Sequence, residues 1–327
     1  MKEELGENYT NWLLAICGIF VFLNIDSMWS WSVDLAHHYA LAFRISEQWV
    51  LTSTSDPTLG EMNIYPRGSH IIAAIFGFFV NSIFLGVQLV TLVSLALLWL
   101  SAILILNSLQ KKLATISLMT FTGLLFFNSA FAKFDLHGHE VVGNFFYAQL
   151  VGHSVLFISI IFAINLEKKF GVICSVVALV LLMLLNATIH LLPALEMLGL
   201  IFGLLFAYVL FDAKPRISIN QKLTISIPIA LFALVGIFLH PSFSAMRVIS
   251  ENNGSLQLNN IQYPYGLILL CILVLFASLQ LFLKWIKSSA SNENLAIKYL
   301  STYGGVTASL CLLQFALIFL VMVRFTQ

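Results

Sequence analysis

Residues 71–106 read IIAAIFGFFVNSIFLGVQLVTLVSLALLWLSAILIL, and no ionisable side chain interrupts them. A bilayer crossing takes about 20 apolar residues, so the stretch is too long for one span and short for two. The distribution of lysine and arginine decides between the readings, because basic residues gather on the inner side. With 71–79 as a half-depth segment in the outer leaflet and one full helix over 83–106, Lys111 and Lys112 fall inside. Further spans follow over 113–130, 147–166, 170–189, 194–211, 223–239, 264–283 and 299–323, after a first span over 12–25. That register puts Lys168, Lys169, Lys214, Arg216, Lys222, Lys284, Lys287 and Lys298 inside as well. Outside remain Arg44, Arg67, Lys133, Arg247 and Arg324. Splitting 71–106 into two spans would invert every later loop and place the lysine pairs outside.

The expected fold is therefore all-α: a single transmembrane domain over 1–327, a polytopic bundle of about nine spans. Its amino end is cytoplasmic and its carboxyl end outside, in the cell (plasma) membrane. Composition agrees. The chain has 327 residues, 60% hydrophobic and 9% charged, with mean hydropathy +0.95. Soluble domains run at about 25% charged. No ten-residue polar/apolar alternation suggests an outer-membrane barrel. The acidic start, with Glu3, Glu4 and Glu7 beside Lys2, is no secretory leader, so the first apolar run is expected to persist as a helix. Cys17, Cys174, Cys271 and Cys311 lie inside apolar runs without metal-ligand spacing and read as packing residues.

Two intervals stand out as extracytoplasmic loops, 26–70 and 240–263. Within the first, 34–50 reads as an amphipathic helix, with Leu35, Tyr39, Ala42, Phe43 and Trp49 on an apolar face and Trp29 and Trp31 just before it. Such a helix suits the interface plane. The same register sends all eight histidines to or near the outer side, together with Asp26, Asp34, Asp56, Glu61, Asp135, Glu140 and Glu251. Ionisable groups at membrane depth mark a site or a wet cavity, so a polar cavity opening outward is expected.

Several constellations could work there. Asp34, His37 and His38 share one helix face by their i, i+3, i+4 spacing. A carboxylate beside imidazoles can deprotonate a hydroxyl or hold phosphate oxygens through a cation; the plainer alternative is a solvated polar face. In Tyr65-Pro66-Arg67-Gly68-Ser69-His70, Pro66 keeps Tyr65 extended and Gly68 lets the backbone approach a ligand. Arg67 offers a planar fork for phosphate, or else simply meets lipid headgroups. Asp135, His137, His139 and Glu140 supply zinc-type donors without a diagnostic spacing; a hydrated loop is the competing reading. Gln149 with His153, and Asn186 with His190, are i, i+4 pairs, and Glu196 follows Pro193. Interhelical hydrogen bonding explains such pairs equally. His240, Arg247 and Glu251 sit in an interval sized to fold over a substrate.

This layout resembles the GT-C superfamily of integral membrane glycosyltransferases, which use polyprenyl-phosphate-sugar donors, in its bacterial-type subfamily. Those enzymes carry a catalytic acid in a long first external loop with interfacial helices, and a second loop after the seventh span. Asp34 stands where the acid is expected, and the segment 65–70 is similar to a Tyr-Pro-x-Gly-x-His pattern that ends the loop. The paired acids of the protein-mannosylating branch are absent around Asp34. The resemblance implies inverting transfer on the extracytoplasmic face, in the service of a cell-envelope glycan. Asp34 would be the base; His37, His38, Arg67, Tyr65, His70, His190 and Glu196 would bind donor phosphate and substrate. Asp135, His137, His139, Glu140, Gln149, His153, His240 and Arg247 would be further cavity residues. The partners would be the lipid donor, a glycan, lipid or protein acceptor, and membrane lipid, with no nucleic acid; a divalent cation stays open. The alternatives are a transporter or lipid flippase with an outward polar cavity, and a membrane metalloenzyme built on His137, His139 and Glu140.

Overall fold

The computed structural model describes residues 3–30, 32–49, 56–127, 147–211, 217–253, 264–287 and 292–325. Every regular element among them is helical: α1 Glu3–Trp29, α2 Val33–Gln48, a 3₁₀ segment Pro57–Asn63, α3 Gly68–Val80, α4 Ile83–Asn107, α5 Lys111–Phe127, α6 Tyr147–Phe170, α7 Val172–Ala187, α8 Leu191–Phe211, α9 Ile219–Phe238, α10 Pro241–Asn253, α11 Pro264–Lys287 and α12 Asn292–Phe325. Asp135, His137, His139, Glu140, Lys214, Arg216 and residues 254–263 lie outside the described residues.

Among the described residues, six helices are long and apolar enough to cross a membrane: Asn11–Met28 within α1, then α4, α6, α8, α9 and Tyr265–Lys287 within α11. Their outer faces fit that setting. Phe22 is 76% exposed, Leu23 64% and Phe276 61%, an arrangement that water would penalise and that lipid solvates. The protein is membrane-embedded. The other three expected spans differ in length. α5 has 17 residues and the described chain stops there. α7 has 16, about 24 Å at 1.5 Å per residue, which falls short of a hydrocarbon core of about 30 Å. α12 runs to 34 residues because its start, Asn292–Lys298, is polar chain that helix formation carries past the apolar run. α1 likewise extends well beyond 12–25 at both ends. Of the cysteines, Cys17 and Cys271 are buried, whereas Cys174 is exposed on α7.

The chain divides into two compact units. The first comprises Met1–Ile161, Leu184–Ala194 and His240–Met246. Here the segment 71–106 breaks where its register requires. Asn81 adopts the left-handed conformation (φ 54°), and its N–H returns to the Gly77 and Phe78 carbonyls. Ser82 then caps α4 by accepting from the Leu85 N–H at 3.3 Å. Asparagine tolerates that conformation and serine is a preferred cap, so two polar residues turn the chain. α3 and α4 pack backbone to backbone: a Cβ on Gly86 would lie 2.3 Å from the Ala73 carbonyl oxygen and 2.6 Å from the Gly77 nitrogen. Backbone atoms cannot rotate away, so Gly86→Ala should cost about 1–3 kcal/mol of stability. Gly123→Ala, with open space around it, should be neutral or gain up to about 1 kcal/mol from helix propensity. Unfolding of both variants in detergent checks the pair; equal stabilities would refute the close packing.

α1 is held to α4 by the edge-on contact of Phe20 with Trp99 (5.7 Å between centroids). Gln88 Nε2 also donates to the Met28 carbonyl at 3.0 Å. α2 seats Leu41 and Ile45 with Ala74 of α3 and with Leu59 and Met62 of the 3₁₀ segment. The expected loop 26–70 is thus folded structure over most of its length.

The second unit comprises Phe162–Met183, Leu195–Leu239 and Arg247–Gln327. α8 meets α12 through small residues. A Cβ on Gly199 would reach Val306, and one on Gly203 would reach Thr302, the close approach that membrane helices favour. Lys298 of α12 pairs with Glu167 at the end of α6 at 2.7 Å.

Candidate functional site

α2 begins at Ser32, whose hydroxyl accepts from the Leu35 N–H at 3.1 Å. Asp34 therefore sits in the first turn without being needed as the cap. It is half-buried, and a carboxylate there also complements the positive end of the helix dipole. The expected shared face divides by depth: His37 is exposed and His38 is buried.

His38 is enclosed by three aromatic rings from two other parts of the chain, the segment 65–70 and the start of α6. Its centroid lies 5.1 Å from His70, 5.5 Å from Tyr147 and 5.6 Å from Tyr65. Its Nδ1 is 2.9 Å from Nε2 of His70, which is wholly buried. Tyr65 also meets His190, at 6.4 Å. His190 closes the turn into α8 by accepting the Leu192 N–H on Nδ1 at 3.3 Å.

Two contacts fix the segment 65–70 in place. The Gly68 N–H donates to the Thr188 carbonyl at 2.8 Å, and the Tyr147 hydroxyl donates to the Ser69 carbonyl at 2.7 Å. Gly68 was expected to let the backbone approach a ligand. It admits the chain's own Thr188–Ile189 instead, since a Cβ would lie 2.8 Å from the Thr188 carbonyl oxygen. Arg67, 8% exposed, donates from Nη2 to the Asn63 carbonyl at 3.2 Å. The Asn63 side chain in turn spans the backbone of Asp56 and Gly60, and Asp56 pairs with Arg44 of α2. The 3₁₀ segment is thereby a brace between α2 and the Tyr65–His70 turn.

These surroundings set the charges. Burial raises the Asp34 carboxyl above its ordinary range, and nearby His37 pulls it partly back, so Asp34 is a stronger base than a surface aspartate. Burial, then repulsion from His190 and His37, pushes His38 down to about 3. Burial likewise holds His70 far below its ordinary value. Burial and the Asp34 charge raise the Tyr65 phenol. Burial also lowers the Arg67 guanidinium, which nonetheless remains a cation. At neutral pH the cluster holds one anion, one cation and two uncharged imidazoles. Enclosure favours the uncharged form of both imidazoles.

Asp34, His37, His38, Tyr65, Arg67, His70 and His190 thus all belong to the first unit. Other expected residues go elsewhere. Asn186, paired in expectation with His190, donates across to the Gly152 carbonyl of α6 at 3.0 Å. Glu196 belongs to the second unit and accepts from the Tyr303 hydroxyl at 2.6 Å; Arg247 is in that unit too. His240 accepts the Ser242 N–H at 3.2 Å at the start of α10. Gln149 and His153 lie half-buried on α6. Among the described residues no three His, Cys, Asp or Glu side chains come together to hold a metal ion. Tyr147 and Thr188 are the members that sequence reading missed. The chain matches no known protein family, no curated protein and no solved structure.

Proposed function

We propose that this protein is a membrane glycosyltransferase that moves a sugar from a polyprenyl-phosphate donor to a hydroxyl acceptor with inversion. The observation that carries the reading is Asp34: a half-buried carboxylate, more basic than usual, relieved of capping by Ser32 and acting on Tyr65. The acceptor oxygen attacks the anomeric carbon as its proton passes to Asp34. The new C–O bond forms while the bond to the phosphate oxygen breaks, and polyprenyl phosphate leaves. Arg67 stabilises the negative charge that accumulates on that phosphate. A bilayer-anchored donor accounts for building the site at the edge of apolar helices.

Transfer of radiolabelled sugar from polyprenyl-phosphate donors in proteoliposomes tests the reading. Arg67→Lys keeps the charge and loses the fork, so donor use should fall about tenfold or more while insertion and folding persist. Unchanged donor affinity and turnover would remove Arg67 from the site.

The reading includes nine spans with the amino end inside and the site outside. Single cysteines introduced beside Lys168 or Lys214 should resist an impermeant thiol reagent applied to intact cells, and those beside Asp56 or Asn253 should react. Labelling of the Lys168 and Lys214 positions from outside would overturn the register.

A further inference from the structure

We propose that the cleft between α8, α11 and α12 is a lipid site, which takes one acyl chain of an anionic glycerophospholipid and holds its ester carbonyl on the Ser278 hydroxyl. The cleft belongs wholly to the second unit, and its role is independent of the glycosyltransferase reading. It encloses about 380 Å³. Gly203 and Phe206 form its α8 wall, Ser278 and Phe282 line it from α11, and α12 contributes from Ser301 to Leu313. That run of α12 is about 18 Å long, so the volume corresponds to a cross-section of about 20 Å². One hydrocarbon chain fits that width; a transmembrane helix, about 10–12 Å across with its side chains, does not. Leu279, Leu310 and Leu313 beside the cleft are exposed, so a chain can enter sideways from the bilayer.

Two hydroxyls mark where the polar end of that lipid sits. Hydroxyls in membrane helices commonly return to a carbonyl of their own helix, as Ser301 does to Lys298 and Ser309 to Gly305. Ser278 and Thr302 do not. Each is 7% exposed, each lines the cleft, and neither makes a hydrogen bond among the described residues. Ser278 faces α12, its Oγ 2.7 Å from where a Cβ on Gly304 would stand, and Thr302 lies within one turn of that point. Hydrocarbon supplies no water to satisfy a hydroxyl donor, whereas a lipid ester brings an acceptor. Lys284 and Lys287 in the last turn of α11 are exposed beyond the Phe282 end of the cleft. About 9 Å of helix separates Ser278 from Lys284, and flexible lysine stems extend to the headgroup level. α11 carries no acid, and Lys298 is already paired with Glu167. The charge that α11 brings to this end therefore complements an anionic phosphate headgroup.

Native mass spectrometry of the full chain released from detergent micelles provides the test. The probes are dioleoyl phosphatidylglycerol, its diether analogue and dioleoyl phosphatidylcholine. The expected result is one phosphatidylglycerol per chain, bound about tenfold or more tighter than phosphatidylcholine. The diether, which lacks the carbonyl, should bind about fivefold more weakly than the diester. Ser278→Ala should bring the diester down to the diether's affinity and leave the diether unchanged, as a shared contact requires. Replacing Lys284 and Lys287 together by glutamine should abolish the preference for phosphatidylglycerol. Ser309→Phe, at an exposed position in the cleft wall, should fill the cleft and remove the tight lipid. Should that variant fail to fold, the three lipids on wild type and on Ser278→Ala still decide the matter. Equal affinity for the two headgroups, equal affinity for diester and diether, or a tight lipid that survives Ser309→Phe overturns the proposal. Displacement of phosphatidylglycerol by polyprenyl phosphate also overturns it and assigns the cleft to that lipid. A dimer that excludes lipid and is broken by Ser309→Phe overturns it in favour of a second copy of the chain.

Discussion

Asp34→Asn is expected to cut sugar transfer by about a hundredfold or more, the usual scale for loss of a general base, in a protein slightly more stable than the parent. Asparagine matches aspartate in size and removes the charge and the basicity. The helix does not depend on the carboxylate, because the Ser32 hydroxyl supplies the cap and asparagine is tolerated in a first turn. The sign of the stability change follows from desolvation. Burial raises the Asp34 carboxyl in the folded state, so the ionised form is disfavoured there relative to the unfolded chain. That penalty is present at neutral pH, shrinks as pH falls through the folded-state value, and is gone below the ordinary aspartate range of about 4. The variant should therefore melt above the parent at neutral pH and together with it in acid. Full transfer at normal expression would sink the catalytic assignment. A lowered melting temperature would make Asp34 structural.

Glu167→Ala should destabilise the second unit by about 3–5 kcal/mol, the scale for stranding one member of a buried pair. Lys298 is buried at 4% exposure, and its Nζ lies 2.7 Å from Glu167 Oε1. The second carboxylate oxygen accepts from the Tyr299 hydroxyl at 2.8 Å, and Ser175 joins Tyr299 to the Ala163 carbonyl. The ammonium also lies over the Trp285 ring, 5.7 Å from its centroid. Loss of the carboxylate leaves a cation among rings with no counter-ion. Replacing both partners by methionine removes the charge together with its counter-charge, and such swaps are often neutral. Equilibrium unfolding in detergent of the two singles and the double gives the coupling. A loss below about 1 kcal/mol in Glu167→Ala would mean that Lys298 extends its flexible stem to headgroups or water.

The apolar runs were readable because length and hydropathy alone nominate a crossing, and six spans came through on those terms. The amphipathic stretch after Asp34 was readable as α2 because its apolar residues recur at helical spacing. The interruption between α3 and α4 could be inferred from lysine placement downstream. Local spacing misled where a partner came from another helix. Asn186 and His190 are four apart, yet the amide turns to α6. His38 and His70 were each singled out, but nothing along the chain says that the two rings touch. Tyr147 gave no signal, since a tyrosine at the head of an apolar helix is ordinary at a membrane interface. Lys298 was placed among the charges of the inner loops; helical extension of α12 carries it into a buried pair with Glu167, which gave no signal of its own.

The bond from the Gly68 N–H to the Thr188 carbonyl bears on the order in which the chain is made. Residues 34–70 leave the ribosome long before residue 188 does, and helices α4 to α7 are made in between. Until the α7–α8 turn arrives, the Tyr65–His70 segment lacks the backbone acceptor that anchors it, and Tyr65 lacks His190. A nascent chain halted within α6 would hold Asp34, His38 and Arg67 and still have no finished site. Closure of the cluster is a late event in biogenesis, set by a carbonyl far downstream of the residues it immobilises.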